Sequence, residues 1–331
     1  MTVELIGMIT LALGLLSLFR PASFIVQLFL SSTLLGSSAA FILEAVGGTN
    51  ISPAHLLLGF LADRLLSIES IYGAAAKSVT PGSPGFWLLL TVIYSAISAY
   101  FMPRLFAGQT FTFAVRNIEG GYSTPLAPAM SNLTQLIYFV GDLVCFVLHY
   151  GYAGTLSARR VLGGAAVWCA ALNFVFAALD LAIYFTNTTE LMSVIRNANY
   201  ALLNDQEVAG FKRIVGSFTE ASSFGSTTLG CFAFTSRLCL LGIRPRLSLI
   251  LTLFSLSALL FSTSTTACVG PTAFLLYSYI NILIGAFRKP LTFQIGILSS
   301  LFRSRWQAWL SSSPSTMLIG LRFRTCSTRS C

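Results

Sequence analysis

Charge is what this sequence has least of. Lys, Arg, Asp and Glu make up 9% of its 331 residues, against about 25% in a soluble domain. So little polar surface excludes a water-soluble globule of this size. Histidine is nearly absent as well, with only His55 and His149 present. The seven cysteines form neither a CxxC pair nor a Cys/His cluster. No zinc site is expected, and Cys145, Cys169, Cys231, Cys239 and Cys268 read as small hydrophobes in or beside apolar runs. The net charge is +9, of which Arg303, Arg305, Arg322, Arg324 and Arg329 in the acid-free stretch 303–331 supply +5. The remainder is only mildly basic, and no basic patch is interleaved with aromatics, so no nucleic-acid partner is expected.

Apolar sequence is what abounds: 55% of residues are hydrophobic and the mean hydropathy is +0.78. A helix needs about 20 mostly apolar residues to cross the ~30 Å hydrocarbon core. Runs at 3–19, 22–43, 86–106, 133–152, 161–185, 223–242, 246–262 and 268–287 are candidates. They predict an all-α, polytopic transmembrane bundle of about eight spans within 1–302, followed by a basic, irregular tail over 303–331. Segment 53–71 is apolar but carries Asp63, Arg64 and Glu69; it reads as interfacial or re-entrant, with a full span as the alternative. The start, Met1-Thr2-Val3-Glu4, lacks the cationic region of a signal peptide and reads as the first span.

Lys and Arg in short loops set orientation. Arg159-Arg160, Arg244 with Arg246, and Arg288-Lys289 fall on one side if spans alternate, and that side is expected to be cytoplasmic. The N-terminus then lies inside, and 107–132, 186–222 and 263–267 face outward. Arg20 is the exception, since this scheme puts it in an outer turn. Gly120-Gly121, Pro125 and Pro128 make 107–132 an irregular connection. Within 190–214, Leu191, Ile195, Leu202 and Val208 alternate with charge, which predicts one or two amphipathic helices on the outer face.

That outer loop, 186–222, gathers Arg196, Asp205, Glu207, Lys212, Arg213 and Glu220. A solvated face is one explanation of the cluster. A phosphate site is the other: Arg213 offers a fork for two phosphate oxygens. Ser222, Ser223, Gly225 and Ser226 let a ligand approach a helix start with free N–H groups, and Gly216 counts with the substrate-binding residues.

Lys212-Arg213-Ile214-Val215-Gly216-Ser217-Phe218-Thr219-Glu220-Ala221-Ser222-Ser223, then an apolar run, then Ser262-Thr263-Ser264-Thr265-Thr266, resembles the bacterial O-antigen ligase and polysaccharide polymerase superfamily. Pro125 to Gln135 is similar to a stretch met in these proteins, and the resemblance spans roughly 107–287. Ala221 stands where the family often has proline. The family's ligases carry a histidine in the large outer loop; this loop has none, which leaves the polymerase branch. The acid-free tail reads as a truncated or frame-shifted end.

The resemblance implies glycosyl transfer at the outer face of a bacterial inner membrane. The donor would be an oligosaccharide on a polyprenyl diphosphate, and the acceptor a hydroxyl of a second lipid-linked repeat unit. The product would be O-antigen or exopolysaccharide, with other polysaccharide-export proteins as partners alongside the lipid bilayer. No metal or cofactor is implied. Arg213 would hold the diphosphate with Lys212 or Arg196. Glu220 would be a general base or would orient Arg213. Ser264 and Thr265 would bond sugar or phosphate, unless 262–266 is only a polar turn. A flippase for the same glycans and a non-enzymatic scaffold are the rival readings.

Polar residues inside spans complete the inventory. Asp142 sits mid-span and is expected to face the bundle interior. Arg237 either snorkels to the inner interface or pairs with Asp142. Asp180 either lines the outer cavity or is a solvated helix end. Asn173 and Asn281 are expected to bond between helices, and His149 to be structural.

Overall fold

In the computed structural model, residues 2–44, 49–113, 123–199, 202–203, 207–208 and 210–287 are described. Met1–Pro271 form one compact unit. Its helices are α1 (Leu5–Leu18), α2 (Ala22–Ser32), α3 (Pro53–Leu66), α4 (Ser70–Ser78), α5 (Pro84–Leu105), α6 (Met130–Tyr152), α7 (Leu156–Thr186), α8 (Ala221–Leu240) and α9 (Pro245–Ser262). The start of α10 (Thr265–Phe287) belongs to the same unit, and Thr272–Phe287 continue that helix in a second. Three small antiparallel pairings accompany them. β1 (Thr2–Val3), β2 (Phe41–Leu43) and β3 (Thr49–Ile51) form one sheet. β4 (Phe111–Phe113) pairs with β5 (Ser123–Pro125), and β6 (Glu207–Val208) with β7 (Phe211–Lys212).

The chain is therefore mainly helical. Five helices are long and apolar enough to cross a membrane: α5, α6 (from Asn132), α7, α9 and α10 (to Gly285). Their outward surfaces are apolar, with Trp87, Ile137 and Tyr277 each about two-thirds exposed at 66%, 64% and 67%. Water would penalise such surfaces and lipid does not. α8 has the length, at 20 residues, but its Ser, Thr and Gly content and Arg237 keep it outside the five.

Two of the eight expected spans take another form. The apolar run 3–19 becomes α1, whose 14 residues reach only about 21 Å. The run 22–43 is not one helix: α2 ends at Ser32, the chain turns through Gly36-Ser37-Ser38, and Phe41–Leu43 enter the sheet. Glu4 N–H bonds Ala40 O at 3.2 Å, so α1 starts beside the end of this turn and leads away from it. Segment 53–71, expected to be interfacial or re-entrant, forms α3 and the start of α4. Ser52 caps α3 by accepting from His55 N–H, and Pro53 occupies the first helical position. Pro53, Leu57, Leu61 and Leu65 recur every fourth residue on its buried face. Of these, Leu57, Leu61 and Leu65 pack with Ile25, Val26 and Phe29 of α2, Ile71 and Ala75 of α4, and Leu148 of α6.

A second core lies where α7, α8 and α9 meet the segment before α8. Leu34, Ala177, Ile214, Val215, Phe218, Ala221, Phe224 and Ala258 form it. The bundle thus has two recognisable ends. The loop end carries residues 34–43, the close of α7 and the start of α8. The arginine end carries Arg159-Arg160 and Arg244. α1 starts at the loop end and Arg64 Nη2 reaches Arg20 O at 2.8 Å. Arg20 therefore lies toward the arginine end and the first residues lie at the loop end. α1 and α2 thus return the chain to the end where it began, and Arg20 shares an end with Arg159-Arg160 and Arg244 instead of opposing them.

Candidate functional site

The loop before α8 is shaped by one carboxylate. Asp180, in the penultimate turn of α7, is 2% exposed. Its Oδ2 accepts from Val215 N–H at 2.8 Å and Gly216 N–H at 3.0 Å. Its Oδ1 receives Arg196 Nη2 at 2.6 Å and stands 3.8 Å from Lys212 Nζ. Lys212 is buried and Arg196 largely so, with side-chain exposures of 4% and 10%. Arg196 also donates from Nε to Gly216 O at 3.1 Å. Asp180 is neither a solvated helix end nor a cavity wall: it anchors the loop. Its carboxylate faces the two cations directly, so the three side chains compensate one another away from water.

Gly216 is required by this geometry. Its φ is +60°, and a Cβ there would sit 3.1 Å from Phe224 Cδ2. Lys212 Nζ also lies 5.7 Å from the centre of the Tyr184 ring, whose hydroxyl donates to Glu207. The loop is then tied to the N-terminal region. Ser217 Oγ donates to Leu34 O at 2.5 Å, and Ser37 N–H and Oγ both donate to Ser217 O, at 3.0 and 2.9 Å. Ser38 Oγ donates to Ile195 O at 2.5 Å, and Asn197 exchanges two bonds with the Ala39 backbone at 2.8 and 3.0 Å. These ties correct the expectation of amphipathic helices over 190–214. Among the described residues of that stretch only a 3-10 turn at Thr189–Met192 and the β6–β7 pair are regular. The backbone there bonds to distant segments, which a helix would forbid, and Gly210 and Gly216 both hold positive φ. Asp205 lies outside the described residues.

Arg213 leaves the Asp180 cluster. Its Nε donates to Ser262 O at 3.3 Å, and the next residue, Ile214, donates its N–H to Phe261 O at 3.3 Å. The loop is thereby fastened to the end of α9, where Thr263 is left-handed at φ +47°. A β-branched residue in that region is strained. Ser264 is buried and caps α10, accepting from Ala267 N–H at 3.2 Å, while Thr265 is exposed. Ser264 lies so close to α8 that a Cβ on Gly225 would come within 2.7 Å of its Oγ.

Glu220 is the last residue before α8 and gives no side-chain cap to that helix. Its Oε1 instead accepts from Ser222 Oγ and, at 3.4 Å, from Ser223 Oγ. Among the described residues Oε2 receives no hydrogen bond and no ion pair joins Glu220 to Arg213, so the orienting role for Glu220 gains no contact. The structure thus gathers Arg213, Glu220, Ser222, Ser223, Gly225 and the 262–265 turn around the first turns of α8. Arg196, Lys212 and Gly216 stand behind them, on Asp180.

Other polar residues are distributed differently. Asp142 interacts electrostatically with His55 of α3. Among the described residues no ion pair joins it to Arg237. His55 contacts Ser52 Oγ through Nδ1 at 2.8 Å and tilts against Tyr138, whose hydroxyl donates to Asn50 O at 2.5 Å. Asn173 bonds between helices as expected, Nδ2 donating to Thr228 Oγ1 at 2.8 Å. Asn281 instead bonds Tyr277 O of its own helix at 2.8 Å. His149 packs on Phe29 and bonds Cys145 O at 2.8 Å, a structural role. Sequence reasoning missed the anchoring role of Asp180. The available signal was a carboxylate in an apolar helix followed by a loop that holds Arg196 and Lys212.

No protein-family model, no curated protein and no solved structure matches the chain.

Proposed function

We propose that this chain is a membrane glycosyltransferase of the polymerase type, joining oligosaccharide repeat units carried on polyprenyl diphosphate at the outer face of a bacterial inner membrane. The observation that carries the reading is the meeting of Arg213 with the Ser262–Ser264 turn, 49 residues away in sequence, at the start of α8. An anion-binding arginine, uncapped helix amides and a carboxylate then share one end of the bundle.

The reaction this set supports is a displacement at the anomeric carbon. The acceptor hydroxyl oxygen forms the new glycosidic bond as the bond from the anomeric carbon to the diphosphate oxygen breaks. The electron pair leaves with the lipid diphosphate, and Arg213 with the first amides of α8 stabilises the growing negative charge. The acceptor proton passes to Oε2 of Glu220, the carboxylate oxygen that the two serine hydroxyls leave open. Lys212 and Arg196 serve from behind, through Asp180, by fixing the loop that presents Arg213.

The test is reconstitution of the full chain in vesicles with lipid-linked repeat units extracted from the source cells. Glycan lengthening is the expected result, and Arg213→Ala lowers its rate about 10²–10³-fold. Transfer of the units across the bilayer without lengthening would instead assign a flippase, and neither result would assign a scaffold.

A further inference from the structure

A cavity of about 380 Å³ opens at the arginine end, between the start of α7, the end of α8 and the start of α9. That volume lies in the range of ligand pockets. Arg159, Arg160 and Arg244 stand at it, and its remaining wall is apolar: Val167, Leu238, Ile243 and Leu247. All three arginines are exposed. Arg159 is steadied by Nε donating to Ala153 O at 2.7 Å. Among the described residues the side chains of Arg160 and Arg244 have no hydrogen-bond or ion-pair partner. The helices that build the cavity offer no carboxylate either. From Leu143 to Leu179, and again from Ala221 to Phe287, the sequence contains no Asp or Glu. Asp180 ends the first stretch some 30 Å along α7 from Arg160, and it is already surrounded by Arg196 and Lys212.

Two further features point to an occupant. Gly163 and Gly164 line the cavity, and a Cβ on either would meet nothing within 4 Å. Glycine weakens a helix relative to alanine. Here that weakness is not offset by close helix packing; it leaves open room beside the apolar wall. Arg244 adopts a left-handed backbone at φ +47°, a conformation that non-glycine residues avoid unless the site over-determines it. It holds its place because Ser248 N–H and Oγ both bond its carbonyl, at 3.0 and 2.7 Å.

We propose that this cavity binds an anionic phospholipid of the leaflet at the arginine end, its phosphate held by Arg160 and Arg244 and an acyl chain lying over Gly163-Gly164 and Val167. Charge complementarity selects an anionic over a zwitterionic lipid, and the apolar wall selects a lipid over a free phosphate ion. The proposal stands independently of the glycosyl-transfer reading, which concerns the other end of the bundle.

The experiment is native mass spectrometry of the delipidated full chain titrated with dioleoylphosphatidylglycerol, dioleoylphosphatidylcholine or inorganic phosphate. The wild type is expected to retain phosphatidylglycerol over phosphatidylcholine. R160A/R244A is expected to weaken phosphatidylglycerol retention about tenfold or more while leaving phosphatidylcholine unchanged. Gly164→Leu, which keeps every charge, is expected to weaken retention by filling the space for the chain. Circular dichroism of each variant secures that the helices are intact. Equal retention of the two lipids by the wild type overturns the proposal. So does undiminished phosphatidylglycerol binding by folded R160A/R244A, or displacement of the lipid by inorganic phosphate at equal concentration.

Discussion

Both ends of the bundle carry arginine, and the two ends treat it in opposite ways. At the loop end Arg196 is turned inward onto Asp180 and the Gly216 carbonyl, beside Lys212. At the arginine end Arg160 and Arg244 stand exposed at an apolar cavity with no acid in the sequence from Leu143 to Leu179 or from Ala221 to Phe287. A buried cation with a partner is part of the fold, because removing the partner leaves a charge stranded out of water. An exposed cation without one is available to an outside anion and contributes little to stability. The same residue type is structural in one place and receptive in the other, and burial decides which.

The comparison breaks most readily at Asp180. Asp180→Asn strands Arg196 and Lys212 and is expected to cost about 3–5 kcal/mol, read as a collapse of the melting temperature in detergent. Adding Lys212→Met to Asp180→Asn is expected to recover part of the loss by removing one stranded charge. R160A/R244A is the opposing control, with stability within about 0.5 kcal/mol of the wild type. Similar melting of the two variants would abolish the distinction between the ends. Next in size is Gly216→Ala. It forces an alanine into the left-handed region and toward Phe224, with an expected loss of about 1–2 kcal/mol in denaturant titration. The smallest effect sharpens the picture inside the bundle. A double-mutant cycle over Asn173→Leu and Thr228→Val is expected to give a coupling near 0.6 kcal/mol, and zero coupling would mean the interhelical bond contributes nothing net.

The long helices were legible because a continuous apolar run of about 20 residues has few other solutions in a bilayer. α5, α6, α7, α9 and α10 follow the expected runs closely. The run 22–43 misled because hydropathy averages over Gly36-Ser37-Ser38, whose serines bond to Ile195, Ala198 and Ser217. The outer loop misled for the same reason. The spacing of Leu191, Ile195, Leu202 and Val208 suits a helix, but long-range backbone bonds override local periodicity. At the site, Arg213 and Glu220 were legible as residue types. That Lys212 would turn to Asp180 while its neighbour Arg213 turns to Ser262 depends on the chain path between them, which no local pattern encodes.

The bond from Ser217 to Leu34 bridges 183 positions of chain, and that from Ser37 to Ser217 bridges 180. At translation speeds of about 5–20 residues per second, the turn after α2 waits roughly ten to forty seconds before its partner exists. During that interval the Leu34 carbonyl and the Ser37 amide lack the partner they find at Ser217, and water can stand in for it only outside the hydrocarbon. This tie is a latch that can close only after α3 to α7 have been made, and it can do so before α8 to α10 exist.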